Sequence, residues 1–409
     1  MFRGLVPPTA CPVSLPDIFL SWRILREGAR PTETFCSVVA ERVGKRYAFA
    51  FNHARTAITV LLQELHRMYP EKDEVVAPAY TCYTVAAAIA RAGLVLVPVD
   101  VETTSLCYQQ DALRASITPR SLAVIVVHPF GLPCDVEKVK EAANGADVFI
   151  LEDCAQAWDS RYKQRSLGGR GDASVFSFGR GKHLNLGGGG ICCLDDTDLA
   201  LRVKRRLEAL PKPSLRSQMR RLIQLALTTT GQHPYTYALA LRLPFIEIGE
   251  TYFQPDFPQM QWSEWQAQLG LRLWSRWEEM REARRRNALC WQQWLPMYPW
   301  LGMIPRMDDV EDVSYLRMPV LCEKRSQAMG WFRKRGIHAQ RMYPQSLVDV
   351  GDPRLRIKVY SSLEGARWLA RALYTLPVHP LFDAQAWCKC CGSIEHAFQE
   401  DLDIAGTAS

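Results

Sequence analysis

Between about residues 45 and 195, short apolar runs alternate with segments of helical period. The apolar runs are rich in β-branched residues and are typical of buried strands, namely EVVAP (74–78), LVLVPVD (94–100), SLAVIVVHPF (121–130) and DVFILED (147–153). The intervening segments place apolar residues near helical spacing, as in TAITVLLQELHRMY, TVAAAIARAG and DVEKVKEAAN. This alternation predicts an α/β fold with a mostly parallel central sheet covered by helices on both faces.

Polar residues end two of these predicted strands. His128 follows the run AVIVV, and Asp153 ends the run VFILE. Ligands of such sheets bind outside the carboxyl ends of the strands. We therefore expect both side chains near a binding site.

The remainder of the chain predicts a second, smaller α/β unit. Residues 200–255 are first basic and then largely apolar, and a long helix is predicted from Ser263. Further on, YLRMPVLCE resembles a strand, SQAMGWFRKRG a helix ended by Gly336, and LEGARWLARALYTLP a helix stopped by Pro377. We divide the chain into a large domain (1–255), with an N-terminal extension and an apolar insertion at about 200–255, and a long helix with a small C-terminal domain (256–409).

Composition narrows the class of protein. The 409 residues, 48% hydrophobic and 23% charged, are typical of a soluble two-domain globular protein. A formal charge of +7 fits an anionic ligand such as a nucleotide and does not point to nucleic acid. No apolar run is long enough for a signal peptide or a membrane span. With 13 cysteines, the chain is expected to be cytoplasmic with reduced thiols. Cys388, Cys390 and Cys391 lack a second ligand cluster, so no metal site is predicted.

The candidate chemistry lies in residues 151–190, LEDCAQAWDSRYKQRSLGGRGDASVFSFGRGKHLNLGGGG. Taken singly, a strand-ending Asp, a Lys before glycines and a glycine run are weak signals, because each is common in loops. Together they supply what pyridoxal 5'-phosphate requires of a protein. An amine must bind its aldehyde, an anion must face its ring nitrogen, and hydroxyl and helix N-terminal amide groups must hold its phosphate.

The same stretch resembles the DegT/StrS family of fold-type-I aminotransferases, large-and-small-domain enzymes that act mainly on nucleotide-linked keto sugars. The family shows E-D-x-A-Q, S-F-x-x-x-K and a glycine-rich turn, and this chain has Glu152–Gln156, Ser177–Lys182 and Gly187–Gly190. The segments VVAPAYTCYTVAAAIARAGLVLVPVD, SEWQAQLGLRLWSRWEEMREARRRNAL and LARALYTLPVHP are also similar to family segments. The resemblance covers most of residues 40–385.

The resemblance implies roles for individual residues. Lys182 would form the Schiff base with the cofactor and move protons, and Asp153 would pair with the pyridinium nitrogen. The remaining cofactor contacts would be Gln156 to the ring hydroxyl, Ser177 to the phosphate, and the backbone amides of Ala54, Arg55 and Thr56 to the phosphate at a helix N-terminus. Two plainer interpretations stay open, namely a surface amide for Gln156 and a simple N-cap for Thr56.

Three positions depart from the family pattern. Ala54 stands where the family usually has Gly, which changes the approach of the backbone to the phosphate. Cys82 stands where the family has an aromatic ring that stacks on the cofactor, so Tyr83 or Tyr80 is a candidate for that ring. The segment FPQMQWSE lacks the Asn that many members present from a neighbouring subunit.

The resemblance implies an aminotransferase that takes an amino group from glutamate and gives it to a keto group of a nucleotide-activated sugar, in polysaccharide or glycoconjugate biosynthesis. Alternatives are a deoxysugar dehydratase, in which the family replaces the lysine by His, or a non-catalytic regulatory or scaffold member. The acceptor sugar, its nucleotide and the aminated carbon stay open, as does a cyclitol acceptor. We expect a homodimer, with the insertion 202–248 as a dimer contact or lid in preference to a membrane-surface segment.

Overall fold

A seven-stranded sheet forms the centre of the protein. The computed structural model describes residues 4–24, 29–242, 252–303, 305 and 312–392. In spatial order the strands are β1 (Tyr47–Phe51), β9 (Gly190–Leu194), β8 (Ala173–Ser177), β5 (Phe149–Asp153), β4 (Ser121–Val127), β2 (Glu74–Pro78) and β3 (Val95–Val99). All pairs from β8 to β3 are parallel, and β9 runs antiparallel to both of its neighbours. The predicted mostly parallel sheet is confirmed.

Helices cover both faces of this sheet, because its strands are apolar on both sides. Every residue of β2, β4 and β9 is buried. The helices described before residue 255 are α1 (Leu15–Arg23), α2 (Pro31–Val43), α3 (Ala54–Met68), α4 (Tyr83–Ala92), α5 (Gln110–Ser116), α6 (Val136–Ala143), α7 (Thr197–Glu208), α8 (Leu215–Thr230) and α9 (Pro234–Ala240). A two-stranded ribbon of β6 (Arg161–Tyr162) and β7 (Arg165–Ser166) lies between β5 and β8 in the chain.

The helix predicted from Ser263 is two helices, so that prediction was wrong in its extent. A capping box between Ser263 and Gln266 starts α10 (Glu264–Trp274), and α11 (Trp277–Trp294) follows after a turn at Ser275 and Arg276. The apolar spacing continues across the turn, because buried Trp265 and Trp277 both face the core. The apolar periodicity alone therefore could not reveal the turn at Ser275 and Arg276.

A small three-stranded sheet forms in the C-terminal part of the chain. Its strands are β10 (Met318–Leu321), β12 (Leu373–Leu376) and β11 (Gln340–Arg341), all antiparallel, with β12 in the middle. Helices α12 (Arg325–Lys334), α13 (Glu364–Ala372) and α14 (Ala384–Gly392) complete the unit. The helix predicted to run as far as Pro377 ends at Ala372, because the next four residues pair with two strands. Tertiary pairing overrode their helical pattern.

The insertion forms α7, α8 and α9. Residues 243–251 lie outside the described residues, and the domain division at residue 255 stays a prediction. The inner face of α8 buries Leu222 and Leu225. Its outer face exposes an apolar stripe of four residues at helical spacing, Leu215 (70% exposed), Met219 (44%), Ile223 (55%) and Leu227 (65%). Within the described residues no helix combines the length and apolarity that a bilayer span requires.

Candidate active site

The site forms at the carboxyl edge of the parallel strands, next to the N-terminus of α3. Asp153 is the last residue of β5, and Ser177 is the last residue of β8. Lys182 follows β8 in a loop that turns at Gly181, whose φ of +77° suits glycine. Lys182 and Asp153 lie close enough to influence each other's ionisation. The structure thus brings the two principal predicted residues together.

Asp153 is a buried carboxylate that lacks a full set of partners. Its side chain is 6% exposed, and Oδ1 accepts a hydrogen bond from the amide of Ala155 at 2.9 Å. No described residue donates a hydrogen bond to Oδ2. Burial raises the pKa of this carboxyl, against the lowering effects of the Ala155 amide, Lys182 and His128. A protonated ring nitrogen would supply the missing donor and a positive charge.

The pKa of Lys182 is shifted in the opposite direction, below its ordinary value. Desolvation lowers the pKa of its amine, while Cys82 and Asp153 raise it and Arg317 lowers it further. Only the neutral amine has the lone pair that attacks a carbonyl carbon. The lowered pKa therefore increases the reactive fraction of the amine at neutral pH.

The glycine run brings β9 against the first turn of α3. A Cβ on Gly190 would fall well inside van der Waals contact of the backbone nitrogen of Ala54. Only glycine allows this approach. His53 is the N-cap of α3, so the simple N-cap interpretation of Thr56 is wrong. The Thr56 amide donates to the His53 carbonyl at 3.1 Å, whereas the amides of Ala54 and Arg55 come too early in the helix to have an intrahelical acceptor.

Two arginines add positive charge at this helix end. Arg221 of α8 places Nη1 3.4 Å from the Asn52 carbonyl oxygen, and the Arg55 guanidinium lies 4.4 Å from the centroid of the Phe257 ring. Neither forms an ion pair with a carboxylate of the described residues. Burial, together with these two cations, lowers the pKa of His53 to about 3. With the helix dipole, the arrangement favours an anion.

The sequence does not single out Arg221 from the other basic residues of the insertion. Its neighbour Arg220 is exposed on α8, and no sequence pattern distinguishes the two. The feature that could have identified Arg221 is the register of α8. Buried Leu222 and Leu225 define the inner side of this helix and place Arg221 there.

The predicted Gln156 is buried, so the surface-amide interpretation is wrong. Its Oε1 accepts from the Phe130 amide at 3.0 Å, and its Nε2 donates to the Tyr343 hydroxyl at 2.7 Å. The Ser177 hydroxyl is half-buried, and no described residue forms a hydrogen bond with it. The predicted cofactor contacts of both residues stay predictions.

Both tyrosines that were candidates for the stacking ring contact Tyr343. The Tyr83 hydroxyl exchanges 3.0 Å hydrogen bonds with the backbone of Gln345, and its ring packs edge-on against Tyr343 with centroids 5.9 Å apart. Tyr80 packs edge-on against the same ring at 5.5 Å. Cys82, by contrast, is near enough to Lys182 to affect its ionisation. A stacking role for Tyr83 stays a prediction. The contacts of Tyr83 with Gln345 and Tyr343 favour a role in packing against these residues.

His128 has a structural role next to the site. Its Nδ1 accepts from the Cys134 amide at 3.0 Å, and its Nε2 lies 3.0 Å from Glu152 Oε2. Glu152 also accepts amide hydrogen bonds from Gly168, Arg170 and Gly171 at 2.6–2.8 Å. Although His128, Glu152 and Cys154 lie within reach of one metal ion, the His and Glu donors and acceptors are already used. The hydrogen bonds of His128 and Glu152 therefore stabilise the segment that connects β5 to β8.

These residues fit pyridoxal phosphate. An amine of lowered pKa, a buried carboxylate with a free oxygen, an unbonded hydroxyl and a cationic helix end lie at one edge of the sheet. They match the aldehyde, ring nitrogen and phosphate of the cofactor. Lys182, Asp153 and Ser177 would hold it, with the amides of Ala54 and Arg55.

We expect Asp153→Asn to stabilise the cofactor-free protein at neutral pH, by about 1–3 kcal/mol, because the amide brings no unpaired charge into the interior. A raised carboxyl pKa means that the wild type loses stability as the pH rises from 3.8 through the raised value. The advantage of the variant should therefore shrink as the pH falls. Thermal unfolding between pH 5 and 8 measures it, and an advantage that grows on acidification would contradict the assignment.

Comparison with known proteins agrees with this geometry. The spore coat polysaccharide biosynthesis protein SpsC of Bacillus subtilis (strain 168) is 35% identical over 162 residues, 40% of this chain and 41% of that protein. GDP-perosamine synthase of Escherichia coli O157:H7 is 32% identical over 167 residues, 41% of this chain and 45% of that protein. The matches thus span less than half the length of either relative.

The whole fold resembles solved structures. The sugar aminotransferase CalS13 from Micromonospora echinospora superposes with a TM-score of 0.74 and 22% identity, covering 96% of this chain and 100% of that chain. This confirms the predicted fold-type-I architecture. The model of the DegT/DnrJ/EryC1/StrS aminotransferase family matches residues 21–395, and the chain belongs to that family.

Proposed function

We propose that this chain is a pyridoxal-phosphate-dependent aminotransferase that moves an amino group from glutamate to a keto group of a nucleotide-activated sugar, in polysaccharide or glycoconjugate biosynthesis. The observation that carries the proposal is the Lys182 amine beside the buried Asp153 carboxylate, at the carboxyl edge of the sheet. Family membership and the sugar-related relatives support the substrate class.

Each residue contributes a defined step. When bound, pyridoxal phosphate would supply an electron-withdrawing ring. Asp153 would hold the proton on the ring nitrogen. Lys182, whose pKa is lowered, would accept the proton of the donor carbon and return it. Asp153 is buried, which keeps water away from its carboxylate.

The dehydratase alternative has less support. It requires a histidine in place of the lysine, and Lys182 is present. The adjacent His183 is buried, with Nε2 2.7 Å from the Ser314 carbonyl oxygen and its ring edge-on to Trp277. Its side chain is therefore held by other contacts. A non-catalytic member would have no need of an amine with a lowered pKa.

Borohydride reduction of the holoenzyme, followed by peptide mapping, tests the proposal. We expect a pyridoxyl adduct on Lys182, and Lys182→Ala should lose the adduct and all transamination. A screen of keto-sugar nucleotides with glutamate, read by mass shift, then identifies the acceptor. An adduct on a different lysine, or reduction that yields no adduct, would overturn the proposal.

We further propose that Arg221 holds the cofactor phosphate from within the same subunit. The chain lacks the Asn that many family members present from a neighbouring subunit, and Arg221 lies at the α3 N-terminus without a carboxylate partner in the described residues. A guanidinium and a phosphate form charge-assisted hydrogen bonds. Arg221 would thus take over the missing contact.

Arg221→Gln should weaken pyridoxal phosphate binding about tenfold to hundredfold, as expected for the loss of a charged hydrogen bond. Arg220→Gln, the exposed neighbour on the same helix, is the matched control and should leave the affinity unchanged. Absorbance titration measures both variants. Pyridoxal, which lacks the phosphate, should bind equally to wild type and Arg221→Gln, and an equal loss for both ligands would contradict a phosphate contact.

We also propose that the protein is a cytoplasmic homodimer and that the apolar stripe of α8 lies in the subunit contact. Four exposed apolar side chains along one helix are more than a monomer surface usually carries in one row. Light scattering at micromolar concentration should give twice the mass of one chain. Ile223→Glu with Leu227→Glu should shift the mass toward one chain, whereas Leu381→Glu, exposed elsewhere, should not. A dimer unaffected by the double substitution would place the contact on another surface.

A further inference from the structure

Two cysteines from different helices meet in the C-terminal part of the described chain. Cys290 lies in α11 and Cys388 lies in α14, and their sulfur atoms are 3.5 Å apart. The two residues are separated by 98 positions in the chain. Each thiol can donate a weak hydrogen bond to the other. The packing of the two helices therefore pairs sulfur atoms that the sequence alone does not connect.

Aromatic side chains next to the two cysteines hold the helices together. Trp291 follows Cys290 and Trp387 precedes Cys388, and the centroids of these two tryptophan rings are 5.3 Å apart. The Trp387 ring also stacks on the Phe332 ring, with centroids 5.8 Å apart. Close packing of this kind permits little relative movement of the helices. The two sulfur atoms are thus kept near each other in the reduced protein.

A buried amide of α11 holds the chain that leads into α14. Asn287 Nδ2 donates to three backbone carbonyl groups within residues 378–382, at 2.7–3.3 Å. Its Oδ1 accepts a hydrogen bond from the Ala384 amide at 3.0 Å. The beginning of α14 is therefore fixed to α11 by hydrogen bonds. Cys388 lies one turn further along α14, where side-chain packing holds the two helices together.

The two thiols differ in their access to solvent. Cys290 is half-buried, whereas Cys388 is 7% exposed, so a small oxidant in solution reaches Cys290 first. Burial raises the pKa of the Cys388 thiol, and the hydrogen bond and charge of Cys290 raise it further. The contribution of Cys290 disappears once its sulfur is bound in a disulfide, because that sulfur is then uncharged. Cys388 is therefore released to react when Cys290 has reacted.

We propose that Cys290 and Cys388 form a reversible disulfide that fastens α14 to α11 when the surrounding thiol pool becomes oxidised. A low-molecular-weight disulfide, such as that of glutathione, accepts the two electrons. The Cys290 thiolate attacks one of its sulfur atoms and expels a first thiolate, and the Cys388 thiolate then attacks Cys290 Sγ and expels a second. One S–S bond forms in the protein while one breaks in the oxidant. The two protons of the protein thiols pass through solvent to the released thiolates.

The reaction needs only a small movement of the two side chains. Their sulfur atoms must approach from 3.5 Å to a bond length of about 2.05 Å, and rotation of the two side chains supplies a shift of this size. In a reducing compartment the pair stays as thiols, and disulfides that do form there are typically transient and redox-sensing. The modification does not depend on the chemistry of Lys182.

Peptide mapping of the holoenzyme in glutathione buffers of rising oxidised fraction tests the inference. Free thiols are alkylated, and the digest is analysed without reduction. We expect a linked pair of peptides that contain Cys290 and Cys388, and dithiothreitol should remove the link. The midpoint of thermal unfolding should rise with the linked fraction, by at least about 4 °C, because the cross-link closes a long loop of the unfolded chain. Tryptophan emission should fall in parallel, since a disulfide next to Trp291 and Trp387 quenches their fluorescence.

Single substitutions separate the proposed pair from the other thiols. Cys290→Ser and Cys388→Ser should each lose the link and unfold at the same temperature in oxidised and reduced buffer, and Cys388→Ala serves if a buried hydroxyl prevents folding. Cys390→Ser removes the exposed thiol two residues beyond Cys388. It is the matched control and should keep both the link and the rise in unfolding temperature. A glutathione adduct that stays on Cys290 while Cys388 is alkylated would overturn the inference, as would a link between other cysteines.

Discussion

The close packing of Gly190 against the backbone of Ala54 is the constraint on which the rest of the site depends. It fixes the first turn of α3 against β9, and β9 pairs with β8, whose last residue leads into the Lys182 loop. The α3 N-terminus, proposed to hold the phosphate, and the Lys182 amine are therefore positioned by one backbone contact. Any side chain at position 190 would separate the helix from the sheet and move both.

Burial then produces the chemical character of the site. The same desolvation acts with opposite sign on an acid and a base, because it disfavours the charged form of each. It raises the pKa of Asp153 and lowers that of Lys182. Arg55 and Arg221 lie at the α3 N-terminus without carboxylate partners in the described part of the chain. The protein thus holds an excess of positive charge where an anionic cofactor and anionic substrates would neutralise it.

The sequence predicted the parts of the fold that local pattern controls. The run EVVAP coincides with β2, since a strand buried on both faces is continuously apolar. The pattern failed at Leu373–Leu376, where helical spacing lost to pairing with two strands, and at Ser275, where apolar spacing continued across a turn. Asp153 and Lys182 were predicted from the chemistry of residues 151–190 and from their resemblance to the family motifs. Arg221 was not, because its placement depends on the register of a helix, which only three-dimensional contacts reveal.

Helix α8 has two faces with different tasks. Its inner face brings Arg221 to the α3 N-terminus, and its outer face is the apolar stripe from Leu215 to Leu227. Whatever covers the outer face also restrains the motion of the inner one. In the proposed dimer, assembly and cofactor retention would then be thermodynamically linked, and by reciprocity each equilibrium would shift the other by the same factor. In a cell short of vitamin B6, such an enzyme would hold its subunits together more weakly as it lost its coenzyme.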